Sequence, residues 1–390
     1  MSKIPYGRQD INQDDIDAVV SVLQSDYLTQ GPTVPAFEQA IANYCGAQYA
    51  VAVNSATSGL HIACLALGVG KGDSVWTTPI TFVASANCAL YCGATVDFVD
   101  IDPNTYNLST VRLAEKLAVA AKNGKLPKVV IPVHLCGQPC DMAGIYALSQ
   151  QYGFKIIEDA SHAIGGKYKN EPIGNCRYSD ITVFSFHPVK IITTGEGGMV
   201  VTKDPQLAKH LRMLRSHGIS SIVTDFHPRP SQEIWNYQQI DLGFNYRLTD
   251  LQAALGLSQM ARLDSFVEKR HCIAKRYDNE LAKLPIQTPL QCPDNYSAYH
   301  LYVIRLKLDE INITQRQVYD AFHEAGVLVN LHYIPVYRQP YYERMGFTAG
   351  YCPQAEQYYS EAISIPLHSE LTEAQQLRVI ETLQSVLLDN

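Results

Sequence analysis

The sequence predicts an α/β protein, a mostly parallel seven-stranded sheet with helices on both faces followed by a small α+β domain. Three observations carry that expectation. Over the first two thirds, short apolar runs alternate with amphipathic stretches, the pattern that strands and crossover helices leave in a chain. Hydrophobic residues make up 46% and charged residues 18% of the chain, the balance of a packed core rather than of a disordered polymer. Its 390 residues exceed what one core usually organises, so a large domain at 1–262 and a smaller one at 263–390 are expected.

The elements follow in order. "DDIDAVVSVLQS" and "TVPAFEQAIANYCG" place apolar residues at helical spacing, the second closing on Gly46 as a C-cap. "YAVAVNSATSGLHIACLALG" reads as a buried strand, a polar turn and an apolar helix. "DSVWTTP" and "ATVDFVDID" are strands on either side of the helix "TFVASANCALYCG". "KVVIPVHL", "FKIIEDAS", "DITVFSFH" and "GGMVVTKD" complete the series. One long helix, "LTDLQAALGLSQMARLDSFVEKRHCIAKRYDNELAKL", leads into the second part. There, strand "AYHLYVIRLK", helix "TQRQVYDAFHEAG", strand "VLVNLHYIP" and helix "TEAQQLRVIETLQSVLLD" describe a small α+β unit. Positions 219–242 have little periodicity and read as a long loop, a kind of segment often used for function.

Composition also excludes. A net charge of -7 without a long basic run argues against a nucleic-acid surface, which needs clustered cations to displace counterions. The start "MSKIPYGRQDINQDD" lacks a signal-peptide pattern and no 18-residue uncharged apolar span follows, so no membrane partner and a cytoplasmic location are expected. Ten scattered cysteines without a CxxC pair read as reduced core residues. His134, Cys136 and Cys140 in "VHLCGQPCD" have the chemistry of metal ligands. A zinc site usually has a second ligand pair at matching spacing, and none follows, so no metal is expected and a strand end running into a turn is preferred.

In open α/β sheets ligands sit beyond the carboxyl ends of the strands, which directs attention to four turns. "NSATSG" at 54–59 opens a helix whose free amides suit a phosphate, although Ser and Thr there also serve as ordinary caps. Asp159 ends the strand of "IIEDASHA", where a carboxylate can keep a pyridine nitrogen protonated or simply close a turn. "FSFHPVKIITTGEGG" puts Ser185 at a strand end and Lys190 five residues on, in an apolar run that would lower the amine's pKa and make it a nucleophile. "GFNYRLTDLQAALG" places Asn245 and Arg247 just before a helix. A phosphate cradle, a carboxylate for a ring nitrogen and an amine for an aldehyde are the three handles of pyridoxal 5'-phosphate.

Those segments, together with "YLTQGPTVPAFEQAIANYCG", "TTPITFVASANCALYCGATVDFVDID", "EDASHAIGGKYKNEPIG" and "RSHGI", resemble the DegT/DnrJ/EryC1/StrS nucleotide-sugar aminotransferases, which have the fold-type I architecture. The similarity runs over nearly the whole chain. It implies that Lys190 forms a Schiff base with pyridoxal 5'-phosphate and that Asp159 pairs with its ring nitrogen. By the same resemblance Ala56, Thr57 and Ser185 hold the phosphate, joined by Asn245 from the partner subunit of a homodimer with shared active sites. Phe82 packs on one side of the cofactor ring and His162 on the other. Tyr6, the segment Tyr27, Leu28, Thr29 and Gln30, His187, and the segment His332, Tyr333, Ile334 and Pro335 match positions near the sugar.

The substrates implied are L-glutamate and a UDP-linked 4-keto-6-deoxy sugar. "SFHPVKIITTGEGG", "YLTQG" and "HYIPVY" are most similar to the branch of the family that serves pseudaminic acid biosynthesis. Other 3-keto or 4-keto sugars linked to UDP or dTDP stay open. Sugar dehydratases of the family carry His in place of the lysine, a regulator would not need every cofactor handle, and no GxGxxG marks a dinucleotide fold.

Overall fold

The computed structural model describes residues 3–220, 222, 225 and 237–388. Strands β1 (Tyr49–Val53), β2 (Ser74–Thr77), β3 (Thr95–Phe98), β4 (Val129–Ile131), β5 (Lys155–Asp159), β6 (Ile181–Ser185) and β7 (Gly198–Thr202) form one sheet. Their spatial order is β1-β7-β6-β5-β4-β2-β3. Pairs from β3 to β6 are parallel, whereas β7 runs antiparallel to both β1 and β6.

Every residue of β6 and β7 is buried, which explains why these strands read as continuous apolar runs. Successive side chains still divide between two faces. Met199 and Val201 join one apolar cluster with Phe37, Trp76 and Phe184, while Val200 joins the other with Val53, Leu60 and Val183. The helices supplying those clusters are α2 (Thr33–Cys45), α3 (Ala56–Ala66), α4 (Ala84–Tyr91), α5 (Thr110–Lys122), α6 (Met142–Tyr152), α7 (Pro205–Arg215) and α8 (Asp250–Met260), and α1 (Gln13–Leu23) packs on α8.

Beyond α9 (Leu263–Glu280), strands β8 (Ile286–Gln287), β9 (Tyr302–Leu306) and β10 (Ala362–Ile365) make a small antiparallel sheet in that order. Helices α10 (Gln315–Glu324), α11 (Pro340–Glu343), α12 (Pro353–Glu361) and α13 (Glu373–Leu388) complete this part. Its own apolar cluster contains Tyr302, Ile304, Phe322, Val379 and Leu383. Helix α9 serves both cores, with Leu263, Phe266 and Val267 in one and Ile273, Ala274 and Tyr277 in the other. The N-terminal strap joins the small part too, because Ile4 bridges to Val327 and the Leu367 amide donates to the Tyr6 carbonyl at 3.1 Å.

Three expectations change. The single long helix from 248 to 284 is two helices, α8 and α9, divided at Ala261 and Arg262. Arg262 leaves helical geometry (φ -111°, ψ 2°) and its guanidinium pairs with Asp10 at 2.7 Å and Asp15 at 2.5 Å. Those partners lie some 250 positions earlier, so nothing in the local pattern announces the break. "VLVNLHYIP" is not a strand beyond two isolated bridges, from Val327 to Ile4 and from Asn330 to Ser364. Asn330 Oδ1 takes the amide of Leu331 at 2.9 Å, and the chain then turns His332 and Tyr333 toward a cavity. In the expected loop at 219–242, Ile219–Ser220 pairs with Gln238–Gln239, while 221, 223, 224 and 226–236 lie outside the described residues.

Candidate active site

Strands β5 and β6 end side by side, and their last residues, Asp159 and Ser185, face a cavity of about 510 Å³. The N-terminus of α3 supplies another wall. Ser55 caps that helix by accepting the Ser58 amide at 3.1 Å, which leaves the amides of Ala56 and Thr57 without an intrahelical acceptor. The helix end can approach β7 this closely only because residue 198 is glycine: a Cβ there would sit 2.6 Å from the Ala56 nitrogen. The Ser185 hydroxyl, also at the cavity, has no hydrogen-bond partner among the described residues.

Asp159 is buried and closely held. Ser161 donates to Oδ1 from its amide at 3.1 Å and its hydroxyl at 2.6 Å, and Ser85 of α4 donates to Oδ2 at 2.6 Å. Lys190 follows β6 in a turn whose amide donates to the His187 carbonyl at 2.9 Å. Burial pushes the Lys190 amine down to about 8, against the opposing pull of the Asp159 carboxylate. Nζ has no ion-pair or hydrogen-bond partner among the described residues, so it is free to react.

Four imidazoles line the same cavity, of which His162, His300 and His332 are buried and His187 is exposed. His162 lies well below its ordinary pKa because of burial, with Lys190 and His332 adding repulsion. Its Nδ1 accepts the Cys136 amide at 3.3 Å, which assigns the proton of the neutral ring to Nε2, 3.4 Å from the Tyr333 hydroxyl. His332 drops to about 4 through burial and then Lys190; its Nδ1 is 2.8 Å from Ser364 Oγ. His300 packs 4.3 Å from the His162 ring.

Of the residues expected at the site, Tyr6, Ala56, Thr57, Phe82, Asp159, His162, Ser185, His187, Lys190, His332 and Tyr333 line this cavity. Asn245 does not; it is exposed and bridges Ser216. Tyr27, Leu28, Thr29 and Gln30 do not line it either, since they form an exposed stretch after α1. Ile334 is 42% exposed and Pro335 is buried where the chain leaves the cavity, with the next amide, of Val336, bound to the Pro79 carbonyl. Sequence reasoning missed Ser85, Ser161 and His300. Ser161 had a local signal in its position, because an Asp side chain commonly accepts the backbone amide two residues on. The metal alternative at 134–140 is met by other partners: His134 Nδ1 accepts the Cys140 amide at 3.1 Å and Nε2 lies 2.8 Å from Glu158.

Free amides at a helix N-terminus, an unpartnered serine, a buried carboxylate and an amine of lowered pKa fit the phosphate, ring nitrogen and aldehyde of pyridoxal phosphate in kind and number. This is the chemistry of an aminotransferase of the α/β class. The sequence profile of the DegT/DnrJ/EryC1/StrS aminotransferase family matches residues 9–384, and the chain belongs to that family.

The chain is 38% identical to the spore coat polysaccharide biosynthesis protein SpsC of Bacillus subtilis, over 98% of its own length and 97% of the relative's. It is also 38% identical, with the same coverage, to the UDP-4-amino-4,6-dideoxy-N-acetyl-beta-L-altrosamine transaminase of Campylobacter jejuni. Helicobacter pylori PseC, an aminotransferase involved in the biosynthesis of pseudoaminic acid, superposes with a TM-score of 0.90 at 29% identity over the whole of both chains. A sugar aminotransferase of Streptococcus pneumoniae with the same fold has been solved in PLP and PMP forms (TM-scores 0.87 and 0.88, 29% and 30% identity, 98% of both chains). The protein is a sugar aminotransferase that uses pyridoxal phosphate.

Proposed function

We propose that the protein transfers the amino group of L-glutamate to C4 of a UDP-linked 4-keto-6-deoxy-N-acetylhexosamine, giving UDP-4-amino-4,6-dideoxy-N-acetyl-β-L-altrosamine for pseudaminic acid biosynthesis. The observation that carries this is Lys190, a half-buried amine with its pKa lowered to about 8, in one cavity with Asp159, Ser185 and the α3 N-terminus. Similarity to the Campylobacter jejuni transaminase and to PseC supports the choice of sugar.

Bound in the cavity, pyridoxal phosphate supplies an aldehyde and a ring that takes up electrons. The amides of Ala56 and Thr57 and the Ser185 hydroxyl would hold its phosphate, and Asp159 would hold a proton on the ring nitrogen. Phe82, 59% exposed beside the cavity, and His162 would enclose the ring. Lys190 Nζ takes the proton from Cα of glutamate and in the second half delivers one to C4 of the sugar, which requires an amine neutral near working pH.

Lys190 is the one Lys or Arg among the described residues lining the cavity, whereas phosphate, dicarboxylate and nucleotide diphosphate are all anions. That shortage leaves the phosphate to neutral donors, the Ala56 and Thr57 amides, the Ser185 hydroxyl and, in a homodimer, the Asn245 carboxamide of a second copy. Among the described residues no helix is long and apolar enough to cross a membrane.

A second sugar is favoured by one observation, the equal identity to SpsC, whose name places it in spore coat polysaccharide biosynthesis. Incubating the enzyme with glutamate and a panel of 4-keto sugar nucleotides, then fixing product configuration by NMR, separates the two. Amination confined to dTDP-linked sugars, or at C3, would overturn the proposal.

A further inference from the structure

Arg270 on α9 is 1% exposed and has no carboxylate partner among the described residues. Burial lowers it only to about 10, so it stays charged at neutral pH. An unpaired buried cation is costly to keep, which calls for an account of what it does. Its Nη1 donates to three carbonyls, those of Leu367 at 3.0 Å, Tyr299 at 3.1 Å and His300 at 3.2 Å. These carbonyls lie just before β9 and just after β10, outside the ladder that pairs the two strands. They would otherwise be buried acceptors without donors.

Both segments continue into the cavity wall. The His300 amide donates to the Cys136 carbonyl at 2.8 Å, and Cys136 in turn donates to His162. The Leu367 amide holds the carbonyl of Tyr6, whose ring lies 5.2 Å from that of His332. We infer that Arg270, which does not itself line the cavity, is a positioning residue that fixes the imidazole wall and the Tyr6 strap through the carbonyls of Tyr299, His300 and Leu367.

The guanidinium also acts through its charge. The charged and titratable groups facing His300 are His162, Lys190, Arg270 and His332, and burial together with this set keeps His300 well below its ordinary pKa. His368, beside Leu367, is pushed to about 4 by burial, Arg270 and Arg8. Arg270 thereby helps keep the wall opposite Lys190 neutral. The consequence for turnover rests on the aminotransferase function proposed above, while the positioning itself does not.

The test compares Arg270→Met and Arg270→Lys with the native full-length protein, free of cofactor. It follows amide hydrogen exchange and the imidazole titration of His300 by NMR. In Arg270→Met the amides of His300 and Leu367 should exchange about tenfold faster than in the native protein while amides of the seven-stranded sheet hold their rates. Protonation of His300 should move up slightly and stay well below the ordinary histidine range, because burial, His162 and Lys190 outrank Arg270 in holding it down. Arg270→Lys keeps the charge without the planar fork, so it should restore the titration but leave the two amides exchanging faster. Should the methionine variant not fold, the lysine variant alone decides, by a native titration with faster exchange at those two amides.

Uniform loosening of the whole chain, or a lysine variant that loses the native titration, would reduce Arg270 to packing and overturn the inference. Because both readouts precede cofactor binding, failure of the sugar panel would count against the proposed function and leave this result standing.

Discussion

Ser85 Oγ donates a 2.6 Å hydrogen bond to Oδ2 of Asp159, although the two residues lie 74 positions apart and on different elements, α4 and β5. The bond joins a helix on one face of the sheet to the carboxylate that the site needs ionised. Ser85→Ala removes one of three donors to Asp159 and should weaken pyridoxal phosphate binding about tenfold, as expected for a hydrogen bond to a charged group. Equilibrium titration of the apo-enzyme with the cofactor measures this. An unchanged dissociation constant would mean that the two Ser161 bonds suffice.

Lys190 sets a pH dependence whose sign follows from its chemistry. The amine is neutral above its pKa of about 8 and protonated below it, and only the neutral amine attacks an aldehyde. Uptake of pyridoxal phosphate by the apo-enzyme should therefore accelerate with rising pH and level off above about 8. The Asp159 carboxylate raises this pKa, so Asp159→Asn should move the midpoint to lower pH. Stopped-flow absorbance across the pH range reads both curves; a midpoint shifted upward by Asp159→Asn contradicts the electrostatic account. Lys190→Ala should fold and show no turnover, and borohydride reduction of the native enzyme should label Lys190 alone.

Much of this site was legible because its main groups are local to strand ends. Ser185 and Lys190 stand in one short segment, and Asp159 closes a run of apolar residues whose strand character is unmistakable. What the sequence concealed depends on contacts between distant positions. Ser85 looks like any serine in an apolar helix until Asp159 is placed beneath it. Arg262 sits inside a long helical pattern until Asp10 and Asp15 draw it out of the helix. The apolar run at 327–335 has strand composition, but its side chains His332 and Tyr333 turn toward the cavity instead of pairing along a ladder.

Gly198 illustrates a constraint of space rather than of backbone angle. Its added Cβ would meet the Ala56 nitrogen at 2.6 Å and the Ser55 carbonyl carbon at 2.7 Å, and backbone atoms cannot swing aside as a side-chain tip can. Gly198→Ala should destabilise the protein by about 2 kcal/mol through overpacking. It should also displace the α3 N-terminus and raise the dissociation constant for pyridoxal phosphate. Denaturant unfolding and cofactor titration together check this; lost stability with native cofactor affinity would place the phosphate elsewhere.

Asn245 is exposed on its own chain and absent from its own cavity, which makes its proposed role a statement about two subunits. Lys190→Ala and Asn245→Ala homodimers should each be impaired, the first completely and the second through weak phosphate binding. Refolded together in equal amounts, half of the dimers should be mixed. Each mixed dimer has one site in which Lys190 comes from one subunit and Asn245 from the other. Since that is one site of two in half of the molecules, activity should recover to about a quarter of the native value above the residual contribution of Asn245→Ala. If both residues served the same subunit's site, every site in a mixed dimer would still carry one defect. Activity of the mixture would then equal the average of the two parents, and the shared-site proposal would fail.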